Sequence, residues 1–396
     1  MGELMKIAVL IGASSESIFA ISQAKSLGLR VVAFDENKNA PGLKEADISF
    51  VMDIKNPQKI INTLNEHNLT PDLILPVPLG RCLVTTAALI EHFNLEGASF
   101  IATDICTDKL KFHKFLGGGG VLSQNHRKRE TILKKVDCFL LSDDLDLNKL
   151  KFPLIIKPRF GSGSKDVIAV KNLSELEKFL CGKDLKNNDF LAQTLVEGVE
   201  YGLDGVVIDG CYKHILLRQK LLTPLPYRQS IGNISKKEIK QISQSLQAIA
   251  TNLKLKNSLL NADIIITPNS EPFIIEISPR PSGHYLSSTF VQITTGINMI
   301  KEWINLSLKK PFDFEPRFFK HAIIRYFDCE GEVKIPNFNA LKNELGIIKY
   351  ECNINRNLCK VTNGASIMWR GYAIMVADTS QECLENAQLL MNEFKL

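Results

Sequence analysis

The stretch NADIIITPNSEPFIIEISPRPSGH, residues 261–284, contains two apolar runs that each enclose one acid. The runs around Asp263 and Glu276 are separated by the turn residues PNSE, so they predict two adjacent antiparallel strands. Two carboxylates that face each other without a cation repel, and one pKa rises. A hard divalent ion resolves this conflict, and Mg²⁺ is commonly bound by one or two carboxylates together with phosphate oxygens. The stretch therefore predicts a magnesium site at Asp263 and Glu276.

Two further residues follow Glu276 at the two-residue period of a strand, so they are expected on the same face. Ser278 offers an additional oxygen to the metal, and Arg280 brings its permanently charged guanidinium to the same site. A structural ion pair between Glu276 and Arg280 is the alternative explanation. It accounts neither for Asp263 nor for the glycine-rich loop described next.

The stretch FPLIIKPRFGSGSKDV, residues 152–167, places Lys157 directly after an apolar strand. An ammonium group there is costly to desolvate unless an anion meets it. The loop that follows can bring backbone N–H groups and hydroxyls close to phosphate oxygens, through Gly161, Ser162, Gly163 and Ser164. The sequence therefore predicts a polyphosphate site without a P-loop, since GxxxxGK[ST] is absent. The alternative is a flexible hairpin whose lysine extends its ammonium group to solvent.

The composition is that of a folded, soluble protein of two or three domains. The chain has 396 residues, of which 45% are hydrophobic and 23% charged, with a net charge of +5. This charge is too dilute for a nucleic-acid interface, and the cluster HRKRE at 126–130 is expected to be a solvated surface. The sequence therefore predicts no nucleic-acid partner.

The cysteines and the hydropathy predict a cytoplasmic protein without a membrane segment. The nine cysteines are scattered and never spaced as CxxC, which argues against a disulfide framework and a zinc ribbon. No apolar run approaches the roughly 20 residues that a membrane span requires. If the protein forms an oligomer, a homodimer is expected, because this is the commonest soluble assembly.

The pattern along the chain predicts an α/β protein. Residues 1–103 alternate strands and helices, as in a parallel α/β domain. In this domain Asp35 ends the second strand, where a dinucleotide site has its ribose-binding acid. Gly12 is the only glycine in GASSES, however, so the glycine fingerprint of such a site is incomplete. The glycines at 117–120 predict a hinge, and residues 117–195 a small α+β lid. Asp209-Gly210 predicts a two-residue hairpin turn, and residues 316–396 a small C-terminal α+β domain.

Four stretches resemble the motifs of the ATP-grasp superfamily and occur in its order over residues 104–285. They are DKLKFHKFL at 108–116, FPLIIKPRFGSGS at 152–164, QTLVEGVEY at 193–201 and EISPRPSG at 276–283. The preceding α/β segment resembles that of the carboxylate–amine ligase branch. The resemblance implies a central ATP-grasp fold of two α+β subdomains at 104–315, with ATP and Mg²⁺, or Mn²⁺ in its place, as cofactors.

The resemblance also implies a role for each matched residue. Lys109 and Lys157 would hold the α- and β-phosphates, and the glycine-rich loop would close over the β- and γ-phosphates. Asp263 and Glu276 would bind the metal, and Arg280 would stabilise the transferring phosphoryl group. The adenosine would be held by Gln193, by the backbone of Thr194 and Val196, and by Glu200 at the ribose. Ser278 departs from the pattern, since the superfamily commonly has Asn there, so the second metal position is expected to be weaker or completed by water.

The implied reaction is ligation of a small-molecule carboxylate to an amine through an acylphosphate. The carboxylate attacks the γ-phosphate, and the amine then displaces phosphate. An amino acid or a similar compound is the expected substrate, with Arg218, Lys220, Arg228 and His284 as candidates for its pocket. Two alternatives remain: a bicarbonate-activating carboxylase of the same fold, and a nucleotide-binding protein without turnover.

Overall fold

The structure is a computed structural model that describes most of the chain. The described residues are 5–117, 132–142, 145–147, 150–161, 163–183, 189–354, 358, 360–361, 367 and 369–395. Ser162, most of the predicted glycine hinge and the HRKRE cluster lie outside them. Among the helices of these ranges, none has both the length and the apolar composition needed to cross a bilayer.

The N-terminal region is a parallel four-stranded sheet with strand order β3-β2-β1-β4, which confirms the predicted α/β class. The apolar strands are buried on both faces: Leu10 packs into one hydrophobic cluster, and its neighbours Val9 and Ile11 pack into another. The strands are β1 (Ile7–Ile11), β2 (Arg30–Asp35), β3 (Ile48–Val51) and β4 (Leu73–Ile74). The helices are α1 (Ile18–Ser26), α2 (Pro41–Glu45), α3 (Pro57–Glu66) and α4 (Leu83–His92), and a 3₁₀ turn at Ser15–Ser17 precedes α1.

Asp35 fixes the loop between β1 and α1. One of its carboxylate oxygens accepts the backbone N–H of Ala13 at 2.6 Å, and the other accepts that of Asn37 at 2.8 Å. The carboxylate thus stabilises the chain around Gly12, whose φ is +81°. This loop holds Glu16 at the carboxyl end of the sheet, which is where open α/β sheets bind their ligands.

A second, antiparallel sheet lies in the segment predicted as a lid, with strand order β6-β9-β7-β8. Its core is formed by residues such as Leu154, Ile156 and Leu176. Helices α5 (Phe100–Thr107) and α6 (Lys109–Gly117) precede it. Its elements are β6 (Cys138–Leu141), β7 (Leu154–Pro158), β8 (Ile168–Val170), α7 (Leu173–Leu180) and β9 (Phe190–Thr194). Strand β5 (Lys134–Lys135) precedes this sheet in the chain but belongs to the large sheet, where it pairs with a later strand.

The third sheet has nine strands in the order β16-β17-β15-β12-β11-β10-β13-β14-β5. Besides β5, its strands are β10 (Val199–Ile208), β11 (Cys211–Leu222), β12 (Ser230–Lys236), β13 (Ser258–Ile266), β14 (Pro272–Ser278), β15 (His321–Tyr326), β16 (Ile347–Cys352) and β17 (Gly371–Ala377). The helices are α8 (Lys240–Asn252), α9 (Val291–Thr295), α10 (Met299–Ser307), α11 (Phe338–Leu341) and α12 (Ser380–Asn392), with a π-helical turn at Leu286–Phe290.

The C-terminal segment extends the third sheet. Strand β15 pairs with β12 along Gly232↔Arg325 to Ile234↔Ile323, so β15, β17 and β16 continue the sheet that begins with the central strands. The predicted boundary at 315/316 therefore falls between α10 and β15. The division of the chain into three domains stays a prediction, because one continuous sheet crosses the second boundary.

Two hairpins of the third sheet match the sequence predictions. Asp209 and Gly210, with φ of +48° and +81°, connect β10 to β11 as a two-residue turn. In the hairpin of β13 and β14, Asp263 lies directly opposite Glu276. The next pair is Ile264 with Ile274, so a bulge interrupts the ladder at this point.

Candidate functional site

A cavity of about 620 Å³ is bordered by all three sheets. This volume is typical of a site for a small molecule or cofactor. Most of the residues predicted from the sequence line it: Lys109, Lys157, Gly161, Gly163, Ser164, Gln193, Thr194, Val196, Glu200, Arg218, Lys220, Arg228, Asp263, Glu276, Arg280 and His284. The fold thus brings together side chains that are up to 175 positions apart in the chain, from Lys109 to His284. Ser278 does not belong to this lining.

Two lysines carry positive charge into the cavity. Lys157 is the penultimate residue of β7 and is only 5% exposed. Burial lowers its pKa to about 8, and the neighbouring Lys109 acts in the same direction, while Glu276 opposes both. Lys109 begins α6, and its Nζ donates to the carbonyl of Gly161 at 2.9 Å. Burial lowers the pKa of Lys109 as well. Two ammonium groups held this way favour an anionic ligand.

The glycine-rich loop depends on left-handed backbone conformations. Gly161 and Gly163 have φ of +123° and +69°, and Ser164 follows at +52°. A Cβ at either glycine would meet no atom within 4 Å, so the glycines serve the backbone conformation and not close packing. The loop begins at Phe160, whose ring lies 5.1 Å from the guanidinium of Arg81 and 5.0 Å from that of Arg159. Arg81 belongs to the N-terminal region, so its contact with Phe160 connects the loop to that region.

Gln193 is held by a histidine that the sequence analysis missed. The Nε2 of Gln193 lies 2.8 Å from the Nε2 of His113, and both side chains are buried. Burial and the charge of Lys157 lower the pKa of His113 to about 3, so the ring is neutral and its Nε2 can accept this hydrogen bond. His113 lies one helical turn after Lys109 on α6, and this spacing was the signal available in the sequence.

An ion-pair chain joins four of the predicted residues. Lys220 donates to Glu200 at 2.7 Å and lies 2.6 Å from Oδ2 of Asp263, while Arg228 lies 3.3 Å from Glu200. Burial alone would raise the pKa of Glu200, but Lys220 and Arg228 lower it. Burial would lower the pKa of Lys220, but Asp263 and Glu200 raise it. The residues predicted separately for ribose, metal and substrate therefore form one group of ion-paired side chains.

The pKa values of the facing acids Asp263 and Glu276 shift in opposite directions, as expected for two neighbouring carboxylates. Burial raises the pKa of Asp263, and Glu276 and Glu200 raise it further against the effect of Lys220. Burial opposes ionisation of Glu276 too, but Lys109 and Lys157 bring its pKa below the usual value. The described residues contain no cluster of three or more metal-binding His, Cys, Asp or Glu side chains. Two carboxylates fit Mg²⁺ that also binds phosphate oxygens.

Near these acids an amide occupies a position that the sequence analysis missed. Asn261 is the cross-strand partner of Ser278 and, unlike Ser278, lines the cavity. Its Nδ2 donates to Ser282 at 2.5 Å, which leaves the carbonyl oxygen of the amide at the opposite end of the group. No local pattern in the sequence indicates a role for Asn261, because the pairing register of the hairpin determines its position.

Arg280 carries a cation at the cavity wall. Its Nη1 donates to the carbonyl of Pro281 at 2.8 Å. Its Nε is buried and has no hydrogen-bond partner among the residues that the structure describes. A buried donor without a partner is costly, and an anionic ligand in the cavity would supply the missing charge. His284 follows in the same loop, and burial, Lys220 and Arg280 lower its pKa to about 4, so its ring is neutral at neutral pH.

Each of the three guanidinium nitrogens of Arg218 donates a hydrogen bond to another side chain. Its Nε donates to Asp204 at 2.6 Å, Nη1 to Asn233 at 2.9 Å and Nη2 to Ser282 at 3.0 Å. Asp204 also accepts the hydroxyl of Ser282 at 2.5 Å. Gly202 leaves room for the guanidinium, since a Cβ there would lie 2.6 Å from Nη1. The pair therefore connects β10 and β11 to the loop after β14.

Glu16 also lines the cavity and was missed by the sequence analysis. Its Oε1 accepts the backbone N–H of Tyr285 at 3.1 Å. The sequence offered only one acid in a polar loop after β1, and nothing near it in the chain indicated that the loop after β14 approaches it.

The central part of the chain is similar to a known protein family. Residues 106–284 match the family model described as an ATP-grasp domain. A formate-dependent phosphoribosylglycinamide formyltransferase of Prochlorococcus marinus (strain MIT 9515) is 23% identical over 368 residues, which cover 87% of this chain and 86% of that protein.

Two solved structures share the fold over nearly the whole chain. The L-amino acid ligase from Bacillus licheniformis superposes with a TM-score of 0.78 at 19% identity, covering 98% of both chains. The biotin carboxylase domain dimer of Hydrogenobacter thermophilus 2-oxoglutarate carboxylase, in complex with MgADP, ADP and bicarbonate, gives a TM-score of 0.69 at 15% identity and covers 99% of this chain and 91% of that one. These similarities confirm the predicted fold.

The buried pair of Arg218 and Asp204 predicts a large effect on stability. Arg218→Met should lower the free energy of unfolding by about 3–5 kcal/mol, because it leaves a buried carboxylate without its counter-charge. Urea unfolding measures the change. The matched control is Lys25→Met, which removes a pair of 3.0 Å with Asp47 whose side chains are 42% and 35% exposed, and it should cost no more than about 1 kcal/mol. Equal effects of the two substitutions would contradict the structural role of Arg218.

Proposed function

From the match of residues 106–284 to an ATP-grasp domain, we propose that the protein is an ATP- and Mg²⁺-dependent ligase that joins a carboxylate to an amine. The observation that carries the proposal is the convergence of Lys109, Lys157 and the glycine-rich loop on the facing acids Asp263 and Glu276 in one cavity. Buried cations on one wall and acids on the other suit a triphosphate and its metal ion.

The nucleotide would be held along the cavity by the residues named from the sequence. Gln193, fixed by His113, would contact the adenine together with the backbone of Thr194 and Val196. Glu200, oriented by Lys220 and Arg228, would accept the ribose hydroxyls. Lys109, Lys157 and the loop from Gly161 to Ser164 would bind the phosphates. Asp263 and Glu276 would hold Mg²⁺, or Mn²⁺ in its place, which when bound offsets the charge of the phosphate oxygens.

The reaction would proceed in two steps. A carboxylate oxygen of the first substrate attacks the γ-phosphorus, the bond from this phosphorus to the bridging oxygen of ADP breaks, and an acylphosphate forms. The amine of the second substrate then attacks the carbonyl carbon, phosphate leaves with the carbon–oxygen electron pair, and the nitrogen loses a proton. Arg280 would stabilise the charge on the phosphoryl group in transfer. No nucleophile of the protein takes part.

An amino acid or a similar compound is the substrate class that we propose. The shared fold with the L-amino acid ligase supports this choice. Among the four candidates for the substrate pocket, Arg218 is committed to Asp204, and Lys220 and Arg228 are paired with Glu200. His284 remains the candidate whose ring is not engaged by an acid among the described residues. Arg218 is therefore better understood as a residue that positions the loop after β14.

A smaller acid is the second candidate substrate. The fold is also that of a biotin carboxylase domain solved with bicarbonate, and a relative is named as a formate-dependent enzyme. Release of ADP, measured over a panel of amino acids, formate and bicarbonate, each with and without a panel of amines, separates the two. Turnover that needs both an amino acid and an amine supports the first function. Turnover with bicarbonate or formate alone as the acid supports the second, and nucleotide binding without ADP release under any pairing would overturn both.

Glu276→Gln should lower ADP release by about 100-fold or more, because the metal would lose one of its two carboxylates. The matched control is Glu271→Gln in the turn of the same hairpin, where the carboxylate is 45% exposed and pairs with Lys134. The control should keep full activity, and both variants should unfold at the temperature of the unchanged protein. An active Glu276→Gln enzyme would remove the metal assignment.

The lowered pKa of Lys157 predicts that nucleotide binding depends on pH. Above pH 8 the free protein holds this lysine neutral, since its pKa is about 8. A bound polyphosphate restores the charged form, so binding takes up a proton there and the affinity should fall by up to about tenfold per pH unit. Titration calorimetry of ADP with Mg²⁺ between pH 7 and 9.5, in two buffers of different ionisation enthalpy, measures both the affinity and the proton. Affinity that stays constant over this range would contradict the contact.

A further inference from the structure

Asn261 is a buried amide at the cavity wall, and the protein uses only one end of it. The residue lies in β13 and is 7% exposed, and its Nδ2 donates to the hydroxyl of Ser282 at 2.5 Å. Its Oδ1 accepts no hydrogen bond from any described residue, and the protein does not enclose this oxygen. An acceptor without a partner at a largely buried position is costly unless a ligand supplies one. None of the nucleotide, metal or phosphoryl-transfer roles proposed above uses Asn261.

The hydrogen bonds of Ser282 fix the orientation of this amide. The Ser282 hydroxyl has a single hydrogen, and it donates that hydrogen to the carboxylate of Asp204 at 2.5 Å. It can therefore only accept from its other two neighbours, Nη2 of Arg218 at 3.0 Å and Asn261 at 2.5 Å. Asn261 must present its NH₂ group to Ser282, because its carbonyl oxygen has no hydrogen to donate. The carbonyl oxygen consequently points away from Ser282 and is open to the cavity that Asn261 lines.

The hairpin of β13 and β14 places Asn261 next to the facing acids. Asn261 pairs with Ser278, and two positions further along the hairpin Asp263 pairs with Glu276. Residues two apart in a strand point to the same face and stand about 7 Å apart. Asn261 and the two acids therefore share one face of the hairpin, in adjacent cross-strand pairs. Ser278 was predicted to give the metal its additional oxygen but does not line the cavity, whereas the longer side chain of Asn261, in the same pair, does.

The two acids leave part of a metal coordination shell to other oxygens. Lys220 lies 2.6 Å from Oδ2 of Asp263, so this oxygen already has a cationic partner. Mg²⁺ requires near-octahedral coordination, and carboxylate, carbonyl and water oxygens are the ligands that suit it. The amide oxygen of Asn261 is of this type. Because the amide is neutral, it adds a ligand without adding to the repulsion between Asp263 and Glu276.

We propose that Oδ1 of Asn261 is a direct ligand of the metal ion that Asp263 and Glu276 hold. The inference rests on the proposed function and adds a third protein oxygen, which none of the sequence motifs indicates. Ser282, supported by Asp204, holds the amide in the orientation that this contact requires. The same hydrogen bonds join the metal site to the loop after β14.

Asn261→Leu tests the inference, because it keeps the approximate size of the side chain and removes the oxygen. Mn²⁺ is the probe, and its binding is followed by electron paramagnetic resonance in the presence of a nonhydrolysable ATP analogue. The dissociation constant of Mn²⁺ should rise about tenfold, since water replaces the amide oxygen. Line broadening in H₂¹⁷O counts the water ligands, and the variant should bind one more water than the unchanged protein. Asn261→Ala, which brings no new bulk into the hairpin, should show the same two changes.

Asn257→Leu is the matched control. Asn257 is also 7% exposed and lies just before β13, but it does not line the cavity. The protein uses both ends of its amide: Oδ1 accepts the backbone N–H of Asp209 at 2.8 Å, and Nδ2 donates to Glu96 at 2.7 Å. This substitution should lower the unfolding temperature and leave both the Mn²⁺ affinity and the number of bound waters unchanged.

The other outcomes separate this inference from the proposed function. Unchanged Mn²⁺ affinity in Asn261→Leu, with a higher KM for the acid or the amine, would mean that the oxygen binds a substrate and not the metal. Weaker Mn²⁺ binding without an additional water would mean that Asn261 acts only by positioning Ser282. Either result overturns the inference and leaves the ligase function standing. If Glu276→Gln binds Mn²⁺ as tightly as the unchanged protein, or the unchanged protein binds none, the metal assignment of the proposed function is wrong as well.

Discussion

The site depends on the need to balance charges that the fold has removed from water. Lys157 lies near the end of strand β7, and Lys109 is the first residue of helix α6. Both lysines lower the pKa of Glu276. Across the hairpin, Asp263 would be a poor anion without Lys220. Each group is tolerated because another compensates it in part. The two lysines leave an excess of positive charge, and Nε of Arg280 has no hydrogen-bond partner within the described part of the chain. A bound polyphosphate would supply the negative charge that balances them.

The three sheets contribute different charged groups to the cavity. The lid sheet carries Lys157 and the glycine-rich loop, the large sheet carries the facing acids, and the N-terminal sheet brings Glu16. The buried pair of Arg218 and Asp204 links the large sheet to the loop that holds Arg280 and His284. One hydrophobic cluster contains residues of both the N-terminal sheet and the large sheet, which fixes the distance between their walls of the cavity.

The sequence predicted those features that local chemistry determines. Continuous apolar runs identified the buried strands, Asp209-Gly210 identified a hairpin turn, and acids inside apolar strands identified Asp263 and Glu276. What it missed depends on register or on tertiary approach. Arg218 pairs with Asp204 on the neighbouring strand β10, and no periodicity in the sequence encodes this pairing. Asn261 lies at the cavity because it pairs with Ser278. Glu16 is more than 260 positions from Tyr285, so no local pattern could join them. The tail was predicted as a separate unit because its strands gave no sign that β15 pairs with β12.

The most direct test of the account is a crystal structure with Mg²⁺ and a nonhydrolysable ATP analogue. The account predicts the triphosphate between the glycine-rich loop and the hairpin of β13 and β14, with its oxygens near Lys109 and Lys157 and the metal on Asp263 and Glu276. A nucleotide bound elsewhere on the protein, with this cavity empty, would contradict it.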